Sequence, residues 1–508
     1  MVWYTISLIF FAITSLIWLF SKWRYSYWKR KGIVQLNPEF FYGDFRNMVT
    51  SKVSAGEAFK NIYFQLKSKK LELEYGGVYL LFNPVFIPMD LQLIKDIMLK
   101  NFDHFQNRGG YNHESDILTQ TLSRLGGESW KQLRAKLTPT FTSSRIKMMF
   151  ETLNEKTYQF ESIIDQYIEK DGELNISDFS ARFTTDVIAS CGFGIECDSL
   201  TNPDCDFRVY GKKTNTPRPM KNLLENVFPT KFLAYIGYKS FGDVEEFFVN
   251  IVLKTIEHRE KNQVFRKDFM HLLLQLRNKN LFSDDGKLTK ENNETGTFTD
   301  DEIVAQCFIF FVAGFDTSSL TMTMALYEAA KNSEIQDKMR DEIRKVLEKY
   351  DGELTYEAAK ELEYVEKVVS ETLRRYPVVP SIQRVCTKDY TIPGTDIEIE
   401  KGTHIQIPVW GIHMNPEYYP NPEIFDPERF SNEEKAKRPD FTYMPFGEGP
   451  RICIAARFGL LQVKIGLARM LKDYRFTFSE KTPRNILYKH ATVLLYPTEE
   501  IILNVEKI

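Results

Sequence analysis

The chain opens on a run without charge. From Met1 to Phe20 every side chain is apolar or an uncharged hydroxyl. At about 1.5 Å per residue, a helix of that length spans roughly the 30 Å hydrocarbon core of a bilayer. Trp3, Tyr4, Trp18 and Trp23 stand near its ends, where amphipathic rings favour the interface. Lys22, Arg24, Lys29, Arg30 and Lys31 follow before any acid. That bias predicts a membrane anchor over residues 1–21, with the long remainder on the cytoplasmic side. A cleaved signal peptide fits less well, because the start lacks a basic region and the end lacks a small-residue cleavage site. No later segment predicts a second span: the run Cys307–Ala313 is soon interrupted by Asp316. In that orientation the glycosylation patterns at Asn175 and Asn293 stay unused.

Beyond a basic linker over 22–43, the pattern is mainly helical with a minor, segregated β part, and no repeat interrupts it. Asn278 to Gly296 is polar and reads as a loop between two helix-rich halves. Thr299 to Asn332 reads as one long helix, opened by a capping box of Thr299 and Glu302. Ser333–Tyr350 and Glu361–Tyr376 follow as amphipathic helices, stopped by Asp351-Gly352 and Pro377. Tyr390–Trp410 alternates and contains Pro393-Gly394 and Lys401-Gly402, so it predicts short strands and turns. Ile454–Tyr474 predicts a strongly apolar helix, and short β-like runs end the chain.

Composition narrows the function. Hydrophobic residues at 43% and charged residues at 27% exclude wholesale disorder. The 39 Phe make large apolar pockets plausible. Lys and Arg (66) nearly balance Asp and Glu (69), so no basic excess argues for nucleic acid. The cysteines, six in all, are too few for a disulfide scaffold and lack zinc spacing, so reduced, mostly inert thiols are expected.

One cysteine stands apart. In Phe446-Gly447-Glu448-Gly449-Pro450-Arg451-Ile452-Cys453-Ile454-Ala455, a Gly/Pro-rich loop leads Cys453 into the start of an apolar helix. Glycines allow tight turns and close approach to a flat ligand. The helix end and Arg451 are expected to favour a thiolate. Inside the long helix, Ala313-Gly314-Phe315-Asp316-Thr317-Ser318 spends helix propensity on small and hydroxyl residues. Close helix packing would explain that equally well. Glu371 and Arg374 share a helix face, and Pro427-Glu428-Arg429-Phe430 follows.

Together these segments resemble the cytochrome P-450 superfamily. Phe446, Gly449, Arg451 and Cys453 match its haem loop, with Ala455 where glycine is usual. The resemblance implies a mainly α P-450 fold with a minor β part, binding haem b through the Cys453 thiolate as metal ligand. Phe446 would pack beside the sulfur. Asp316 and Thr317 would be the acid and alcohol that relay protons to oxygen. Glu371, Arg374 and Arg429 would form a buried ion-pair network behind the cysteine loop. Trp130 and Arg134 match the W-x-x-x-R helix; with Arg108, Arg384 and Arg451 they occupy propionate-contact positions. Phe105, Tyr111, Phe308, Val379 and Val493 fall in the family's substrate-contact regions. Phe183–Ile195 and Arg384–Tyr390 carry a closer likeness to insect microsomal members, family-six-like, that oxidise xenobiotics and plant toxins. The proline-rich hinge of such members retains only Pro38 between Gly32 and Gly43.

The resemblance implies three segments: an anchor over 1–21, a basic linker with a degenerate proline hinge over 22–43, and a haem-thiolate catalytic domain over 44–508. It implies a monooxygenase in the endoplasmic reticulum membrane. NADPH would supply electrons through a flavoprotein reductase, with cytochrome b5 as a second donor. Lys131, Lys136, Lys435, Lys437 and Arg457 would face that partner. Apolar xenobiotics such as plant toxins or insecticides are the expected substrates, an endogenous lipid or hormone the alternative. Haem-thiolate isomerases tend to lose the acid–alcohol pair, so Asp316-Thr317 argues against that chemistry, and the intact Thr317 and Cys453 argue against a non-enzymatic haem or lipid binder.

Overall fold

The structure, a computed structural model, describes the chain apart from residues 1, 71, 217, 219, 222–223, 226–227, 278–280, 283–287, 290–297 and 491. Its first helix, α1 (Val2–Arg24), keeps Trp3, Phe10 and Leu16 mostly exposed. Ser7 and Thr14 return their hydroxyls to carbonyls one turn back, at 2.9 and 3.0 Å. An apolar surface with its polar atoms satisfied internally suits lipid, and the helix is a candidate membrane anchor.

The chain after α1 is fastened to the protein. Trp28 is fully buried and its Nε1 donates to Val78 O at 3.0 Å. The Tyr79 hydroxyl accepts from Trp28 N and donates to Gln35, at 3.1 and 3.0 Å.

Ahead of the central helix come β1 (Tyr75–Leu80), β2 (Asn83–Pro88), α2 (Gly127–Leu137), β3 (Glu173–Asn175), α3 (Ile176–Ile188), α4 (Asp206–Asn215) and α5 (Gly242–Asn262). The centre is α6 (Asp300–Lys331). After it come α7 (Ser333–Lys349), α8 (Glu363–Arg375), β4 (Ile382–Val385), β5 (His404–Ile407), α9 (Ala456–Asp473), β6 (Tyr474–Phe478) and β7 (Ile502–Lys507). One sheet runs β1-β2-β5-β4, with β2 and β5 parallel and the other pairs antiparallel. A second, antiparallel sheet runs β6-β7-β3.

The capping box that opens α6 is present. Thr299 Oγ1 accepts from Glu302 N at 3.1 Å, and Glu302 accepts from Thr299 N at 2.8 Å. Although α6 is apolar enough to cross a membrane, 72% of its most apolar window is buried by protein, so it is the core helix. It packs against α3 and α9, and those helices supply much of the main apolar cluster.

Two expectations change. Cys197 and Cys205 are bonded to each other just ahead of α4, so not every cysteine is a free thiol. The strands predicted to reach Trp410 stop earlier, because Val409–His413 is a helix turning off β5. Asn175 is packed as the cap of α3, accepting from Asp178 N at 3.1 Å. Most of Asn278–Gly296, with Asn293, lies outside the described residues.

Candidate functional site

The cysteine loop is held by its backbone. Cys453 N donates to Phe446 O at 2.9 Å, closing the loop on itself. Gly449 has φ +70°, and a side chain there would overlap the Met98 carbonyl oxygen, so this position requires glycine twice over. Ala455 has φ −100°, an ordinary value, which explains why alanine serves where glycine is usual.

Behind the loop lies a buried ionic frame. Glu371 and Arg374 are wholly buried and joined by two hydrogen bonds of 2.7 and 2.8 Å. Arg429 Nε lies 3.6 Å from the same carboxylate. Arg374 also donates to His413 O at 3.0 Å. His413 Nε2 accepts from Met444 N at 3.0 Å, so its Nδ1 carries the proton toward Arg374 O at 3.2 Å. Burial drives the His413 pKa down to about 3, keeping that arrangement neutral. Met444 leads directly into Pro445 and Phe446. The frame therefore reaches the loop through a histidine that sequence reasoning missed; a lone His in a short helix carries no signal.

A cavity of about 1000 Å³ lies between the loop, α6 and the β1-containing sheet. Cys453, Phe446, Arg451 and Arg384 line it, as do Arg108, Trp130, Arg134 and Thr317. Every predicted site residue is thus brought together except Asp316, which is not on the wall. Thr317 and Asp316 are neighbours on a helix and point about 100° apart. Thr317 Oγ1 donates to Ala313 O at 2.5 Å. A side chain at Gly314 would overlap Ile188 of α3, so packing alone accounts for that glycine. Of the expected substrate contacts, Val379 and Val493 line the cavity. Phe105, Tyr111 and Phe308 do not: they pack in the core against Tyr390, Tyr238 and Phe248 respectively. Gln306 was missed. Fully buried, it donates to Gln120 O and accepts from Leu122 N, both at 3.0 Å, and so pins a cavity-lining loop to α6.

Electrostatics tests the site for an anion. None of Arg108, Arg134, Arg384 or Arg451 has a carboxylate partner among the described residues. Arg108 donates to Arg451 O and Arg384 to Gln383 O, at 3.0 and 2.9 Å. Arg451 stacks over the Trp130 ring at 4.4 Å. Buried nitrogens of Arg384 and Arg451 remain without a partner. Burial, and then mutual repulsion with Arg108, pushes both Arg384 and Arg451 down to about 9. Such a cluster is costly unless an anion sits among it. A flat dianionic cofactor fits these donors, with a thiol at the same cavity.

The thiol is open to the cavity, and its titration is pulled both ways. Burial raises the Cys453 pKa, outweighing the Ala455 backbone N–H, Arg108 and Arg134, which lower it. Its helix begins at Ala456, and the free N–H groups of that first turn point back along the chain, on the side where Cys453 lies and where a thiolate is favoured.

Comparison with known proteins agrees with this geometry. The cytochrome P450 family profile matches residues 50–505. Cytochrome P450 6a2 of Drosophila melanogaster is 40% identical over 507 residues, covering 98% of each chain. Probable cytochrome P450 6a23 of the same fly is 40% identical over 503 residues, again 98% of each chain. Cytochrome P450 6a8, also from that fly, is 37% identical over 503 residues at the same coverage.

Proposed function

The chain belongs to the cytochrome P450 family, in the company of insect family-six members, and from that premise we propose that it is a membrane-anchored haem-thiolate monooxygenase of apolar xenobiotics. The observation that carries this reading is the group of carboxylate-free arginines beside Cys453 on one apolar cavity.

Cys453 Sγ would ligate the iron of haem b. Arg108, Arg134, Arg384 and Arg451 would bind the propionates, Trp130 would give Arg451 a flat shelf, and Phe446 would keep water from the sulfur. When bound, haem supplies the dioxygen chemistry: one oxygen atom enters the substrate C–H bond and the other leaves as water, with two electrons from NADPH. Thr317 Oγ1 holds a proton at the cavity wall, and Asp316 replenishes it from the adjoining face of α6. Leu122, Ile309, Phe310 and Val379 give an apolar wall that suits lipophilic compounds; the likeness to insect family-six members is what favours plant toxins or insecticides, with an endogenous lipid or hormone as the alternative.

Residues 1–21 anchor the protein in the endoplasmic reticulum membrane, 22–43 link, and 44–508 form the cytoplasmic catalytic domain. A flavoprotein reductase delivers electrons, with cytochrome b5 as a second donor. Lys131, Lys435 and Lys437 are exposed for such docking. Lys136 lies over the Phe298 ring at 5.1 Å, and Arg457 donates to Ser143 Oγ at 2.9 Å.

The test is the carbon monoxide difference spectrum of reduced protein. Wild type should give the thiolate-type band and Cys453→Ala should lose it. With reductase, wild type should oxidise NADPH and hydroxylate or dealkylate an apolar probe such as ethoxycoumarin. A thiolate band that survives Cys453→Ala overturns the ligand assignment.

A further inference from the structure

Asp316 lies off the cavity wall yet is 8% exposed, so something must hold its carboxylate. Two donors converge on one oxygen: Asn215 Nδ2 and the Tyr496 hydroxyl both donate to Asp316 Oδ2 at 2.5 Å. Asn215 is the last residue of α4, and Tyr496 belongs to the segment after α9 that also carries Thr492 and Val493.

The Tyr496 segment and the chain beyond α4 both reach the substrate side. Thr492 and Val493 line the cavity, as does Met220, five residues beyond Asn215. The Tyr496 segment hangs on the neighbouring wall: Leu495 N donates to Val378 O at 3.0 Å, and Val378 and Val379 line the cavity too. The helix α4 itself is seated closely on α6, since a side chain at Gly211 would crowd Phe311. A substrate that displaces the Val493 or Met220 wall therefore acts on segments whose polar ends grip the acid. We infer that Asn215 and Tyr496 are positioning residues for Asp316, through which the substrate-side wall sets how the proton-relaying acid is held. The inference rests on the proposed reading of Asp316 and Thr317 as the proton pair.

The charges around the acid fix the sign of the effect. Burial raises the Asp316 pKa to about 6; the Tyr496 and Asn215 hydrogen bonds lower it, and Arg208 and Lys489 lower it further. Arg208 projects from α4 itself, pairs with Asp178 of α3, and keeps two buried nitrogens without a partner. Asp316 is ionised above its pKa and loses its charge as pH falls through it. Removing either donor leaves the carboxylate less stabilised, so protonation should occur at higher pH.

The experiment uses the full chain with its reductase in phospholipid vesicles, and ethoxycoumarin as the probe. Two readouts are taken. One is the pH midpoint of the Asp316 carboxyl C=O infrared band, identified by its disappearance in Asp316→Asn. The other is peroxide released per NADPH consumed. Tyr496→Phe and Asn215→Ala should each raise the midpoint by about one pH unit, the weight of a hydrogen bond to a charged group. Both should raise the peroxide fraction and leave the carbon monoxide spectrum intact. If Tyr496→Phe loses that spectrum through misfolding, Asn215→Ala carries the test. If Asp316→Asn itself leaves the peroxide fraction unchanged, the proton-pair reading falls and this inference with it. If Asp316→Asn uncouples the enzyme while both donor variants leave midpoint and peroxide fraction unchanged, only the positioning role is overturned.

Discussion

On the thiol side of the cavity, Glu371, Arg374 and His413 are wholly buried, and each of their charged or ring nitrogen and oxygen atoms has a partner. On the substrate side, Val493 is 77% exposed, and Leu122, Ile309 and Val379 offer only apolar surface. A buried charge tolerates very few partners, since an unpaired one is expensive. An apolar wall needs only volume and shape, and many side chains supply those. The first region is therefore specified residue by residue. The second is specified only in sum.

Glu371→Ala should break the comparison hardest. It leaves Arg374 buried without its carboxylate, and Arg429 without the nearest one. Losing one partner of a buried pair costs roughly 3–5 kcal/mol. The expected outcome is little recoverable protein with a thiolate carbon monoxide band, together with a sharply lowered denaturation midpoint. Full recovery of both would show that the frame is no more demanding than the cavity wall.

The same contrast decides what could be read from the chain. The Cys453 loop, Glu371–Arg374 and the Thr299–Glu302 cap are fixed by chemistry at short spacing, and the structure has all three. The alternating run before Trp410 showed one strand of the four-stranded sheet, β5, whereas β1 and β2 were not read and β4, only Ile382–Val385, was too short to show a period. Phe105, Tyr111 and Phe308 were expected at the cavity, yet burial in a core looks the same in sequence as burial around a ligand. Tyr496 and Asn215 could not be found as partners of Asp316, because their separations of 180 and 101 residues are joined only by the fold. The helix-end argument for Cys453 sees only the local influences on the thiol: the Ala455 backbone N–H lowers its pKa, whereas the desolvation that raises it comes from walls the fold brings in from elsewhere in the chain.

A backbone substitution sharpens the comparison with a smaller effect. Gly449→Ala forces an L side chain into φ +70° and against the Met98 carbonyl. The left-handed conformation alone costs roughly 1–2 kcal/mol, and relieving the overlap requires the loop to shift. The protein should fold but hold haem weakly, seen as a lower ratio of haem absorbance to protein after gel filtration. A normal ratio would mean that the loop can relax as freely as the opposite wall.

Val493→Ala should have the smallest effect on folding and is the most informative about the substrate side. The residue is largely exposed and lies in a segment held by backbone bonds such as Leu495 N to Val378 O, which the substitution leaves in place. Substitutions at such positions usually change stability by no more than about 0.5 kcal/mol. The residue nevertheless lines the cavity, and a methylene in an apolar pocket is worth roughly 1–3 kcal/mol in discrimination between ligands. The denaturation midpoint should therefore stay where it is, while apparent affinities for a graded series of alkoxycoumarins change their order, longer chains gaining on shorter ones. If the order is unchanged, Val493 borders the cavity without meeting its contents, and selectivity is set deeper, at Val379 and Ile309. If stability falls as well, the segment carrying Tyr496 depends on this side chain, and the substrate-side wall is more like the thiol side than its exposure suggests.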